Sequence, residues 1–454
     1  MSCGDYQNLN TGYAFNSNWS SSNTNYGPFY LNSNSPSNTN AALGFALRKY
    51  VLQANRDHET SLSRLSGFLY LGPVSIPKRT VILPCMGEKK KDGQRQVSKM
   101  QKAAVRVPVE TMPKTYGNLG DEIFSLPSLY KAFHAAVKGS RDNDDVIEAR
   151  NHAEAVIDKI YRAIQDGTWE PGAYRQFITK KEVKRRLIDE PPFPDRVVHH
   201  AIKDNVEKFF EDKFIFDSYA VTPGKGQHKA ADRVQKFIRE AMLHGDVYVL
   251  QMDIHHYYES IDQDILLKEI KRTIRDKSVL LIWERIIRSY HKETGIGIPI
   301  GAVVSQLSAN IYLNPFDHWI KEVVGWKYYV RYMDDMIFIS NSKKELWNML
   351  GKVRKRLKET FRLTLNRKTR ITKAMQGIDF CGYRIFWDHM LPRKRNVKAA
   401  RIRFKKLSRK YREGKVTIKD VDSRVQSFLG YMKHCDGRRT TLTTLKYLVL
   451  KKGE

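Results

Sequence analysis

Tyr332-Met333-Asp334-Asp335 stands between two apolar, β-prone runs, Tyr328-Tyr329-Val330-Arg331 and Met336-Ile337-Phe338-Ile339-Ser340. Such runs on either side of a short polar step predict a β-hairpin with the acids at its turn. This constrains the fold strongly. Adjacent carboxylates repel, so a tight turn suits them only if a cation neutralises both. The arrangement fits divalent metal, and a pair of metals stabilises both the attacking and leaving oxygens of phosphoryl transfer. An Asp-Asp pair also occurs in turns that do no chemistry, so the rest of the chain must decide. A third carboxylate is available at Asp253. The run Asp246-Val247-Tyr248-Val249-Leu250-Gln251-Met252-Asp253-Ile254 reads as a buried strand ending in an acid. Two strands presenting carboxylates at one end of a sheet would hold two Mg²⁺ against a triphosphate. Mg²⁺ binds hard oxygens and keeps positions open for substrate phosphates. The plainer alternative is that Asp253 caps its strand in solvent.

The charge balance points to the same kind of partner. Formal net charge is +30 over 454 residues, which implies a polyanion and salt-dependent binding. Aromatic residues at 11% are too frequent for a disordered basic tail. No apolar run is long enough for a transmembrane span, and no secretory signal is read at the start. Cys3, Cys85, Cys381 and Cys435 are spaced too widely for a zinc pattern or a disulfide framework. A reducing, cytoplasmic setting without membrane association is the expectation.

Composition divides the chain. Residues 1–48 are rich in Asn and Ser and read as disordered, and residues 49–111 as a basic linker. Ala153, Val156, Ile157, Ile160 and Ile164 recur at helical spacing and stop before Gly167. Val197, Val198, Ala201, Ile202, Val206 and Phe209 predict a second helix. Leu346, Met349, Leu350, Val353 and Leu357 predict a third, after the hairpin. Strands are expected over 361–371 and 380–386. From Arg393 to Arg412 basic residues surround an apolar stripe of Ala400, Phe404, Leu407 and Tyr411. Val421, Val425, Phe428, Leu429 and Met432 predict another helix.

Tyr-Met-Asp-Asp after an apolar strand, preceded about eighty residues earlier by Met252-Asp253-Ile254-His255-His256-Tyr257-Tyr258-Glu259-Ser260-Ile261, resembles a reverse transcriptase. The resemblance covers roughly residues 112–435. It implies an α+β right-hand polymerase with fingers, a palm made of an antiparallel sheet backed by helices, and a helical thumb. The fingers with an N-terminal extension would occupy 112–235, the palm 236–388 and the thumb 389–454. Asp253, Asp334 and Asp335 would be the catalytic acids. They would bind two Mg²⁺ with the help of Ile254, and Mn²⁺ is an alternative ion.

The subfamily signal lies at Gly297-Ile298-Pro299-Ile300-Gly301-Ala302-Val303-Val304-Ser305-Gln306. Many reverse transcriptases have Pro-Gln-Gly where this chain has Pro299-Ile300-Gly301. The apolar residue followed by Ser305-Gln306 resembles the reverse transcriptases of diversity-generating retroelements. Asp217-Ser218-Tyr219-Ala220 and Gly224-Lys225-Gly226-Gln227-His228-Lys229-Ala230 are also similar to that family. Such enzymes copy a template-repeat RNA with errors at adenines, and the cDNA replaces a variable repeat in a target gene. The resemblance implies template RNA, primer or cDNA, dNTPs and a small basic accessory protein as partners, in a bacterial or phage-encoded system.

The same resemblance assigns nucleotide contacts to Lys184, Arg186, Tyr258, Ile300, Gly301 and Gln306. Cations at Lys184 and Arg186, with Arg185 between them, would offset charge on the leaving pyrophosphate. A solvated basic turn is the alternative. Tyr258 would exclude a ribose 2′-OH, whereas Tyr257 reads as core or template-facing. Ile300 offers shape and apolar contact only, which limits discrimination between base pairs. It would contribute to low fidelity, or simply pack under the nucleotide. Arg393, Lys394, Arg401, Lys405 and Arg409 would follow the phosphates of the template–product duplex, since A-form duplex is read mostly by shape and backbone. A solvated basic face is again the alternative.

The first 48 residues resemble the variable region of the lectin-like proteins that these retroelements diversify. Asn codons begin with two adenines and never mutate at those positions to a stop, so a translated template repeat should be Asn-rich. The working start would then be Met86, Met100 or Met112, and a disordered polar tail is the alternative. Two other readings of the chain stay open. One is a group II intron or retron reverse transcriptase, against which Ile300, Ser305-Gln306 and the lack of an evident maturase or endonuclease extension argue. The other is a non-catalytic nucleic-acid-binding protein on a polymerase fold, which would have no need of the three acids.

Overall fold

A computed structural model describes residues 114–138, 143–179, 187–290 and 293–451. The readings for residues 1–48 and 49–111, and for Lys184, Arg185 and Arg186, lie outside the described residues. In chain order the helices and strands are α1 (Gly120–Ile123), α2 (Leu126–Lys138), α3 (Asp144–Asn151), α4 (Ala153–Gln165), β1 (Arg175–Ile178), β2 (Leu187–Glu190), α5 (Phe193–Glu211), α6 (Gln227–Met242) and β3 (Tyr248–Asp253). Then follow α7 (Gln263–Lys271), α8 (Lys277–Arg288), α9 (Val303–His318), β4 (Tyr329–Tyr332), β5 (Asp335–Ser340) and α10 (Lys343–Phe361). The chain continues through β6 (Arg370–Lys373), β7 (Ile378–Phe380), β8 (Tyr383–Ile385), β9 (Met390–Pro392), α11 (Lys394–Arg412), α12 (Ile418–Met432) and α13 (Arg438–Leu445). Among the described residues no helix is long and apolar enough to cross a membrane.

A four-stranded antiparallel sheet in the order β4-β5-β3-β6 organises the molecule. Its strands alternate, as the pleat requires, and both faces are covered. Leu250, Met252, Tyr329, Met336 and Phe338 turn into a core shared with α5, α7, α8, α9 and α10. Val249, Val330, Ile337 and Ile339 turn into a second core shared with α6, the β7-β8-β9 sheet, α11 and α12. The cross-strand pairs Leu250–Phe338 and Val249–Ile339 keep each face consistent. A strand buried on both faces carries near-continuous apolar sequence, which is why Met336 to Ile339 has no polar break.

The outer edge of β4 is not left open. Ser218 forms a parallel bridge with Arg331, the Arg331 amide donates to the Asp217 carbonyl, and the Tyr219 amide donates to the Arg331 carbonyl. The Asp217 carboxylate in turn accepts from Arg233 Nε at 2.7 Å and Lys321 Nζ at 2.8 Å. The run Asp217-Ser218-Tyr219-Ala220 thus has a structural role, closing the edge of the hairpin that carries the acids.

The predicted helices are present as α4, α5, α10, α11 and α12. Helix α4 ends at Gln165, two residues before Gly167, whose φ of 68° suits glycine. The strand expectations after α10 need correction. Phe361 is the last residue of α10, and regular strand begins at Arg370. The 380–386 strand is a hairpin, with Phe380 paired to Tyr383 across a two-residue turn of Cys381 and Gly382. Both turn residues have positive φ, 47° and 88°, the pattern of the tight turns that suit the twist of hairpins. This hairpin meets α6 and α12 where the Tyr383 hydroxyl and His228 Nδ1 share a hydrogen bond of 2.6 Å and His228 stacks on His434 at 3.8 Å.

Candidate active site

Strand register brings the three acids to one end of the four-stranded sheet. Asp253, the last residue of β3, pairs directly with Asp335, the first of β5. Tyr332 pairs with the same Asp335, so Met333 and Asp334 form the two-residue turn of the β4–β5 hairpin. Met333 has a φ of 54°, left-handed backbone that hairpin turns normally give to Gly or Asn. His256, just after Asp253, is also left-handed at 46°. Apolar patterning locates the hairpin but gives no hint that an unbranched apolar residue takes its strained position.

What holds that turn is Arg331, which is fully buried. Its Nη1 donates to the Met333 carbonyl at 3.0 Å and to Asn310 Oδ1 at 3.0 Å. Its Nε and Nη2 grip the buried Asp317 carboxylate at 2.6–2.9 Å, and the Tyr329 hydroxyl donates to the same carboxylate at 2.7 Å. Burial opposes the Arg331 charge, but Asp317 outweighs it and keeps the guanidinium protonated. Asn310 is itself fixed, because its Nδ2 donates to the Ala220 carbonyl at 2.7 Å. Helix α9 therefore sets the position of the turn through one planar side chain. A single Arg inside the apolar run Tyr328–Tyr332 was the available signal for this, since a buried charge must be paired.

The acids sit in an unusual electrostatic setting. Burial first, then the neighbouring Asp335 and Asp253 carboxylates, hold the Asp334 carboxyl well above the usual carboxylate range. The arginine closest in sequence, Arg331, is committed to Asp317. Asp253 accepts from Asn366 Nδ2 at 3.2 Å, and the Asn366 amide donates to the Asp253 carbonyl at 2.7 Å. Asn366 is thus a second residue that patterning missed. Hard oxygen donors that crowd together and destabilise one another's charged forms fit a divalent cation. Among the described residues no group of three or more His, Cys, Asp or Glu side chains is already set as a metal cage. The fit therefore rests on charge and donor type. Ile254 could serve only through its backbone: its side chain lies in the core, and its bridge to Leu365 fixes the backbone there.

Tyr258 and the Ile300–Gly301 segment adjoin one another through the backbone. The Ile298 amide donates to the Tyr258 carbonyl at 2.9 Å, and the Asp189 amide to the Ile300 carbonyl at 2.9 Å. The segment carrying Ile300 is therefore pinned both to the turn after β3 and to β2. Gly301 has a φ of 126°, and a Cβ there would lie 2.8 Å from Ile188 Cγ2 and 3.1 Å from the Asp189 carbonyl oxygen. Close approach of β2 requires glycine at this point. Gln306 is buried in α9, and its Oε1 has no protein partner among the described residues, which fits a bound water or ligand. Tyr257 is core, buried with its hydroxyl donating to the Ala309 carbonyl, while Tyr258 is half-buried.

The five basic residues expected along the duplex begin at α11. Lys394 is exposed. Arg393 pairs with Asp379 at 3.6 Å and Arg409 with Glu413 at 3.7 Å, while Arg401 and Lys405 lie over the Tyr447 ring at 5.5 and 5.1 Å. Ala400, Phe404 and Leu407 are buried, and Tyr411 is partly so. The apolar stripe is as expected, and α13, which supplies the neighbouring Tyr447 segment, was not read from sequence.

Residues 178–385 match the family described as reverse transcriptase (RNA-dependent DNA polymerase). The chain is 25% identical over 283 residues to Protein YkfC of Escherichia coli, which spans 54% of this chain and 74% of that protein. It is 27% identical over 205 residues to the group II intron-encoded protein LtrA of Lactococcus lactis, 43% of this chain and 33% of that protein. Among solved structures it resembles apo telomerase from Candida tropicalis with a TM-score of 0.40 and 11% identity, over 62% of this chain and 60% of that one. The α+β class with antiparallel sheets backed by helices is as expected.

Proposed function

We propose, from the premise that residues 178–385 are the reverse transcriptase domain of an RNA-directed DNA polymerase, that Asp253, Asp334 and Asp335 are its catalytic acids. The convergence of three carboxylates at one sheet end carries this reading. Two Mg²⁺ held there would neutralise the triphosphate and the attacking 3′-oxygen. This chain's own residues would do the rest. Arg331 and Asn366 hold the acids in place, Tyr258 guards against a ribose 2′-OH, and the segment around Ile300 and Gly301, tied to β2, floors the nucleotide pocket. In the same reading residues 112–235 would supply the fingers, 236–388 the palm and 389–454 the thumb, and the expectation of triphosphate contacts at Lys184 and Arg186 rests on the sequence alone.

The finer proposal is an error-prone enzyme of a diversity-generating retroelement, working in the cytoplasm with a small basic accessory protein. Ile300 and Ser305-Gln306 support it. Similarity to LtrA favours a second reading, a group II intron-type enzyme. The purified chain, given a primed RNA template, dNTPs and Mg²⁺, should make cDNA that Asp334→Asn with Asp335→Asn abolishes. Errors enriched opposite template adenine, and reduced by Ile300→Gln, would favour the retroelement. Evenly faithful cDNA would favour the intron-type reading, and no cDNA from any primed template would overturn the polymerase.

A further inference from the structure

Helix α10 carries a surface on which none of the proposed catalytic or nucleotide-contacting residues lies. Leu346, Met349, Leu350, Val353 and Leu357 bury one side against the sheet. The other side exposes Lys343, Lys344, Arg354, Lys355 and Lys358 around Trp347. Helical spacing sets all six on one arc, with Glu359 at its margin. None of the five cations forms an ion pair among the described residues, in contrast to α8, where Arg285 and Arg288 are paired.

Trp347 is the informative residue. It is 54% exposed although the core beneath is filled by its helix neighbours. One turn on, Gly351 puts no side chain on this face and has open space where one would stand. A flat exposed indole in a ring of uncompensated cations is the chemistry that holds an unpaired base while its phosphates are neutralised. On the thumb reading above, the template–product duplex would follow α11, away from this surface. Helix α10 covers the sheet face that looks into the first core, whereas α11 and α12 pack on the opposite face.

We propose that the outer face of α10 is a second RNA-binding surface, which stacks an unpaired base on Trp347 and anchors single-stranded template RNA away from the site of synthesis. The choice of RNA rests on the polymerase reading above, and the charge pattern itself asks only for a polyanion with flat rings. The test uses the full chain with its cleft filled by a short RNA hairpin annealed to a DNA primer. Binding of a fluorescent unstructured RNA to that complex is then titrated. Trp347→Ala should weaken it by roughly five- to a hundredfold, with primer extension on the short hairpin unchanged. Replacing Lys344, Arg354 and Lys355 by Gln should lower the slope of log K against log salt by about 2. Unchanged affinity in both variants overturns the proposal. So does loss in the charge variant alone, which would make the face a non-stacking basic surface. If the unaltered protein extends no primer, the polymerase reading fails while the Trp347 measurement still stands by itself.

Discussion

Lysine at position 331 would keep a cation beside Asp317 but could not span Asp317, Asn310 and the Met333 carbonyl together. Arg331→Lys is therefore expected to fold, to lower the rate of primer extension by roughly tenfold or more, and to leave the KM for dNTP little changed. Such a split follows if one misplaced turn costs about 1.4 kcal/mol of transition-state positioning. Steady-state kinetics with a thermal melt as control checks it. Full removal of the guanidinium is a different experiment, because an unpaired buried Asp317 would cost about 3–5 kcal/mol and unfold much of the protein. Asp195, in the first turn of α5, offers a pH-dependent case. Burial pushes its carboxyl up to about 6, although the Gly172 amide donates to it at 2.7 Å. A raised acid favours the protonated folded form, so its burden on stability is absent below the unfolded value near 4, grows as pH rises, and is complete above about 6. Asp195→Asn keeps an acceptor for Gly172 and should raise the unfolding free energy at pH 8 by up to about 3 kcal/mol, seen as a higher Tm, with no gain near pH 3. Equal gains at both pH values would sink this account.

At the scale of elements, the contact between β2 and the start of α9 is the sharpest constraint. Gly301→Ala should lower stability by about 1–3 kcal/mol because a Cβ meets both Ile188 and the Asp189 carbonyl oxygen. It should also expose β1 and β2 to faster amide exchange, and an unchanged exchange rate there would contradict the contact. The same elements show what was legible in the chain. The β4–β5 hairpin and β3 could be read because apolar runs of strand length ended in acids. Helix α10 could be read because Leu346, Met349, Leu350, Val353 and Leu357 repeat at one face. The Cys381–Gly382 turn was misread because a two-residue turn without Asn or Asp barely interrupts an apolar run, so two short strands looked like one. Arg331 and Asn366 were missed as positioning residues because their partners lie 14 and 113 residues away. Sequence spacing carries no trace of such pairs.

For the whole molecule the decisive quantity is charge. With a formal +30, affinity for RNA should fall by roughly a hundredfold or more as salt rises from about 50 to about 200 mM. The intramolecular partners of Arg393, Arg401, Lys405 and Arg409 mean that these side chains are already oriented by acids or by Tyr447. A salt series of binding constants measures how many phosphates the surface truly engages, and a flat series would contradict a polyanion-binding role.

The four-stranded sheet, finally, divides the molecule along a wall whose strands send alternate apolar side chains into two separate cores. Leu250, Met252, Met336 and Phe338 serve one core, Val249, Ile337 and Ile339 the other. Substitutions in the α11–α13 half can therefore leave the packing of the opposite core untouched. Chimeras joined at alternate strand positions should fold for the same reason.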